Sequence, residues 1–222
     1  MQKYLIIVEG KADIMFIKHY LMFLDISLKF RKEDDYRKKK QYLVIRSEKK
    51  EIKIFSSGGY TKIKPAKVLI QKDIQQGYKV LVIQDADDPT KNDGGVTNRM
   101  EYLNKIKQDI NIDFESFLFP NHMDDGDLET LLLNILQENK YQNFYMCYET
   151  YVHCIEESTK KVFINELLED KYKVFSYFSA YYGIENSKEE NREYIEEYWD
   201  FNSDNLKPLK DFFKENFNIK SN

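Results

Sequence analysis

Tyr4-Leu5-Ile6-Ile7-Val8 and Val80-Leu81-Val82-Ile83 are uninterrupted apolar runs. Runs this short, without polar alternation, belong to strands covered on both faces, as in a parallel sheet. That restricts the fold more than any other feature of the chain. Glu9-Gly10 closes the first run, and 12–24 carries Ile14, Ile17, Leu21 and Leu24 at helical spacing. Further strands are expected at 42–45, 52–55 and 114–119, the last ended by Pro120. Helices are expected at 63–76, closed by Gly77, at 96–110, and from 128 to 136. Strand and helix alternate to about residue 137, which predicts an α/β fold: a mainly parallel sheet flanked by helices. Past 140 the strands thin out, and 148–157, 161–168, 191–199 and 206–217 read as helices. The expected organisation is an α/β domain over 1–138, with a charged insertion at about 29–50, and a helical C-terminal part over 139–222.

The 222 residues are 42% hydrophobic and 32% charged, enough for a sizeable core under a wet surface. No run approaches the ~20 apolar residues that span a bilayer. No signal peptide is visible, so a soluble cytoplasmic protein without membrane association is expected. A net charge of −4 argues against bulk electrostatic attraction to nucleic acid but leaves room for a local basic strip. Cys147 and Cys154 do not have a zinc spacing and read as buried thiols on one helix face.

In parallel α/β sheets, ligands bind beyond the carboxyl ends of the strands. Acidic residues follow three of those ends: Glu9; Asp85 and Asp87; and, after the 114–119 strand, Asp124, Asp125, Asp127 and Glu129. Each piece alone is ordinary, as a turn, a cap or a loop tip. Together they form the oxygen-rich set that a hard divalent cation requires. Glu9, Asp85 and Asp87 are expected round a common point, with Asp127 as a helix N-cap.

Val8-Glu9-Gly10-Lys11-Ala12-Asp13 before a helix, then Val82-Ile83-Gln84-Asp85-Ala86-Asp87, resembles the Toprim (topoisomerase-primase) domain. With Gly126-Asp127-Leu128-Glu129 added, the chain is similar over 3–137 to small stand-alone Toprim-like proteins and to the nuclease domain of overcoming-lysogenization-defect (OLD) proteins. The resemblance implies Mg²⁺ or Mn²⁺ at Glu9, Asp13, Asp85, Asp87 and Glu129, with Glu9 and Glu129 in acid/base roles. It also implies substrate contacts at Gly10 and at Gly59, in the turn after the second core strand. Lys62 either faces a phosphate from that turn, as a catalytic group, or is a plain exposed lysine. No strand-passage gate, primase zinc module or P-loop is present, so any ATPase would be a separate partner chain.

Within the insertion, Arg37 and Lys38 belong to a basic run suited to a phosphodiester, or to a solvated surface. The aromatic tail (Tyr177, Phe178, Tyr194, Trp199, Phe213) reads as packing for a helical subdomain rather than a base-stacking platform. Two functions stand at this point. One is a metal-dependent nuclease on DNA or RNA, an activity the resemblance associates with bacterial defence. The other is a non-catalytic Mg²⁺-dependent sensor of nucleotides or phosphates, working with protein partners or as an oligomer.

Overall fold

The computed structural model describes residues 1–31, 42–158 and 169–217. One six-stranded sheet runs through it, built from β1 (Gln2–Val8), β2 (Lys29–Phe30), β3 (Leu43–Arg46), β4 (Lys50–Ser56), β5 (Lys79–Asp85) and β6 (Glu115–Phe119). Its order is β2-β3-β4-β1-β5-β6. β4, β1, β5 and β6 are parallel, and β2 and β3 extend the β4 edge antiparallel. The fold is therefore α/β with a mostly parallel sheet, as the apolar runs require. After β1 the chain goes to the edge at β2, comes back through β3 to β4 beside β1, and then crosses to β5 on the other side of β1. The direction of winding thus reverses between β1 and β5, and the crevice at their carboxyl ends is the switch point where such sheets bind ligands.

Alternation of side chains divides the core between the two faces. Ile6, Val8, Leu81 and Ile83 face α1 (Lys11–Leu24), whereas Leu5, Ile7, Val80 and Val82 face α2 (Lys67–Gln75) and α3 (Val96–Ile110). The α1 face continues without a break into the C-terminal helical part, where Trp199, Phe201, Leu209 and Phe213 join the same apolar cluster. That part contains α5 (Glu138–Ser158), α6 (Asp170–Tyr182), α7 (Ile184–Ser187) and α8 (Lys207–Phe217), following the short α4 (Leu128–Leu133). Sandwiched between the sheet and these helices, α1 is buried almost all round rather than on one stripe. The tail aromatics pack inward: Tyr177, Phe178, Tyr194 and Trp199 are fully buried, and Trp199 Nε1–H donates to the Tyr182 hydroxyl at 3.0 Å.

Three local expectations are corrected. The helix expected at 63–76 begins only at Lys67, because Pro65 offers no N–H to the preceding turn. Residues 192–199 are not helical. Their backbone bonds go sideways, Gln137 N–H to Tyr198 O and Asp200 N–H to Ile135 O, with Leu136 and Trp199 forming a bridge. The cysteines are exposed, because α5 turns Tyr148 and Val152 inward and leaves Cys147 and Cys154 off that stripe. Residues 161–168, one of the expected helices, lie outside the described residues. Among the described residues, no helix is long and apolar enough to cross a membrane.

Candidate functional site at the carboxyl edge

Glu9 stands where β1 ends, and three donors fix its carbonyl oxygen: Ser56 Oγ at 2.8 Å, Gly58 N–H at 3.0 Å and Gly59 N–H at 3.2 Å. Gly59 adopts φ 124°, a region costly for any residue with a Cβ. The glycine turn thus clamps the start of the site, and the Gly59 N–H is committed to Glu9 rather than offered to a substrate. Gly10 is extended, and an added Cβ would meet Asp13 only at ordinary contact distance, so the backbone does not demand glycine there. Its N–H donates to Asp13 Oδ2 at 2.8 Å, closing the first turn of α1.

Across the switch point, the Asp85 N–H donates to Glu9 Oε1 at 3.2 Å. Asp85 Oδ1 in turn accepts the Leu128 N–H at 3.0 Å, where α4 begins. Asp127 caps α4 as expected, accepting the Thr130 N–H at 2.9 Å. The loop before it is zipped to the Asp87 turn by paired backbone bonds between Asp87 and Gly126. Gly126 adopts φ 136°, and a Cβ there would press on Thr130 Oγ1 at 3.0 Å. Asp125 is committed elsewhere: its Oδ1 accepts the Val96 N–H at 2.8 Å, capping α3.

The electrostatics show how tightly these groups are gathered. Asp85 is pushed well above the usual carboxylate range, by burial first and then by the charges of Asp13, Glu9, Asp127 and Glu129. Burial raises Glu9 to about 7, with Arg99 opposing and Asp13 and Asp87 adding. Glu129 reaches about 7 through burial and Asp127, against Arg192. Asp13 reaches about 6, by burial opposed by the Gly10 N–H. Even so, among the described residues no three His, Cys, Asp or Glu side chains stand together as a ready metal cluster. Each carboxylate is held by its own donor.

Two arginines unforeseen from the sequence complete the site. Asp87, in the left-handed region at φ 61°, is paired to Arg99 Nη2 at 2.5 Å and to Lys91 Nζ at 3.1 Å. The Arg99 guanidinium is fully buried and lies 3.8 Å from the Tyr60 ring centroid. On the α1 side, Arg192 from the C-terminal part reaches Glu129 at 3.5 Å, and its Nε–H donates to the Ser187 carbonyl at 3.2 Å. The expected set therefore divides. Asp85 feels the charges of Asp13 and Glu129, and Glu129 pairs with Arg192, whereas Asp87 turns to Arg99 and α3. Lys62 is exposed in the 3-10 turn Tyr60–Lys62, and among the described residues no hydrogen bond or ion pair joins it to the acidic groups. Arg37 and Lys38 lie outside the described residues. No spacing rule marks Arg99 or Arg192; the one sequence signal is Arg99, a basic residue in helical line with Leu103, Ile106 and Ile110.

The fold and site together define a parallel α/β protein with a buried acidic edge at its switch point. A family model described as "Protein of unknown function (DUF3226)" matches residues 3–218, and the chain belongs to that family. It is similar in structure to the "hypothetical protein PH0156 from Pyrococcus horikoshii OT3", at 15% identity over 97% of this chain and 95% of that one, with a TM-score of 0.44. No curated protein matches the chain.

Proposed function

We propose that this chain is a metal-dependent phosphoryl-transfer enzyme, a nuclease acting on DNA or RNA through a Toprim-type acidic site that takes Mg²⁺ or Mn²⁺. The observation that carries the reading is the link from the Asp85 N–H to Glu9 across the switch point, within a group of carboxylates close enough to raise one another's pKa. The donors are all carboxylate oxygens, the chemistry hard divalent cations prefer. Burial and mutual repulsion disfavour their charged forms, and a cation reverses that penalty. Glu9 and Asp85 would hold the ion through their carboxylate oxygens. The ion supplies Lewis-acid polarisation of the phosphate and activation of water. Glu9 and Glu129 stand at about 7 without the ion, so its binding near neutral pH would displace protons from both. Glu9 is assigned the proton of the attacking water and Glu129 that of the leaving oxygen.

The test is cleavage of single- and double-stranded DNA and RNA with Mg²⁺ or Mn²⁺, with and without EDTA. Glu129→Gln is expected to lower turnover by about 10²–10⁴-fold. A second reading rests on a specific observation: Asp87 and Glu129 already have buried arginine partners. That suits a nucleotide- or phosphate-binding sensor. Tight nucleotide binding without cleavage, even with candidate partner proteins added, selects it over the enzyme.

A further inference from the structure

Arg99 has no exposed surface, yet only one edge of its guanidinium is used. Nη2 donates to Asp87, whereas Nε and Nη1 are buried with no hydrogen-bond partner. Buried guanidinium N–H groups left unpaired are costly, and in native proteins such cases are uncommon. The neighbouring Gln84, also buried, leaves its Oε1 unpartnered while its Nε2–H donates to the Tyr60 carbonyl at 3.3 Å. Tyr60 covers this corner. Its ring stacks on the guanidinium, and it follows Gly58 and Gly59, both at positive φ. Guanidinium groups pair with two phosphoryl oxygens along the Nε/Nη2 or the Nη1/Nη2 edge, and the bond to Asp87 uses only one of the two Nη2 protons, so one such edge remains for a phosphoryl group.

We propose that Arg99 is the residue that binds the phosphoryl group at this edge of the sheet, receiving its oxygens on the pair of N–H groups that Asp87 leaves free when the Tyr60 ring moves aside. The assignment rests on the phosphoryl-transfer reading for its ligand class but not on metal binding. It predicts that loss of the arginine fork weakens phosphate binding, whereas loss of the Tyr60 cover opens the site.

The experiment uses the full chain, ¹⁵N-labelled, and follows arginine Nε–H signals by NMR. Inorganic phosphate and dimethyl phosphate are titrated, each with and without Mg²⁺. The Arg99 Nε–H signal is expected to shift saturably, while that of Arg192, already donating to Ser187, stays still. Tyr60→Ala keeps the shift. Arg99→Lys weakens phosphate binding about 10- to 100-fold, the loss expected for hydrogen bonds to a charged group. Should Arg99→Lys misfold, the wild-type signal still decides. An Arg99 signal unmoved by either probe overturns the proposal, even if Mn²⁺ binds at Glu9 and Asp85. A shift with phosphate in a protein that binds no metal upholds it while sinking the nuclease reading.

Discussion

Two buried ion pairs lie on the α2/α3 face of the sheet, one near each edge, and they are built differently. At the amino edge, Lys53 of β4 meets Asp73 of α2 at 2.5 Å, and the second Asp73 oxygen accepts the Tyr42 hydroxyl at 2.6 Å. The Lys53 ammonium also lies 4.0 Å from the Tyr78 ring centroid and 4.8 Å from that of Tyr42. Both Asp73 oxygens have partners. At the carboxyl edge, the Arg99–Asp87 pair leaves two guanidinium nitrogens unpartnered, among carboxylates raised by burial and, less, by one another. The first pair closes on itself and serves stability. The second is open toward something else, which is the mark of a binding edge.

Single-partner deletions separate the two. Lys53→Met strands the Asp73 carboxylate, 2% exposed, and is expected to cost about 3–5 kcal/mol in urea unfolding. Arg99→Met removes two unpartnered buried N–H groups and leaves the part-exposed Asp87 with Lys91 and solvent, so it is expected to cost about 1 kcal/mol or less. Equal costs would break the comparison, making the open edge as structural as the closed one.

A smaller effect comes from pH. Glu9 stands at about 7 in the fold against an ordinary 4.5, so the folded chain holds its proton more tightly than the unfolded chain. The contribution of Glu9 to stability is therefore greatest below about 4.5, falls as pH rises toward about 7, and stays reduced above it. Glu9→Gln removes this penalty. At pH 8 the variant should be more stable than the wild type by roughly 1–3 kcal/mol, and at pH 4 the two should agree. His19, held at about 3 by burial, acts oppositely, destabilising both proteins alike as pH falls below 6.5. A melting-temperature difference independent of pH would remove Glu9 from the buried set. The smallest effect is the cap: Asp127→Ala should cost ~1 kcal/mol, with turnover less affected than in Glu129→Gln.

The frame of the molecule was legible because its strands are apolar runs and its acidic residues follow them directly. Glu9, Asp85 and the Asp127 cap all lie next to a strand or helix end that hydrophobic patterning marks. The division of Asp85 from Asp87 was not legible. It depends on the left-handed turn at Asp87 and on Arg99, twelve residues on along α3. Arg192 was hidden for a related reason. Residues 192–199 have aromatics at helical spacing, but their backbone bonds go to 135–137, which no local pattern encodes. The buried face of α5 likewise follows from where it docks, which the spacing of Cys147 and Cys154 does not encode.

The central claim is that Glu9 and Asp85 hold a divalent cation. Mn²⁺ binding by calorimetry, with electron paramagnetic resonance of free Mn²⁺ as a cross-check, tests it most directly. Wild type is expected to bind Mn²⁺, with affinity rising to about pH 7 as Glu9 and Glu129 ionise and then levelling. Glu9→Gln and Asp85→Asn should each weaken binding at least about tenfold, a loss of about 1.4 kcal/mol, while Asp73→Asn leaves it unchanged. Wild-type protein that binds no Mn²⁺ at pH 8, or binds it equally well as Asp85→Asn, would contradict the account.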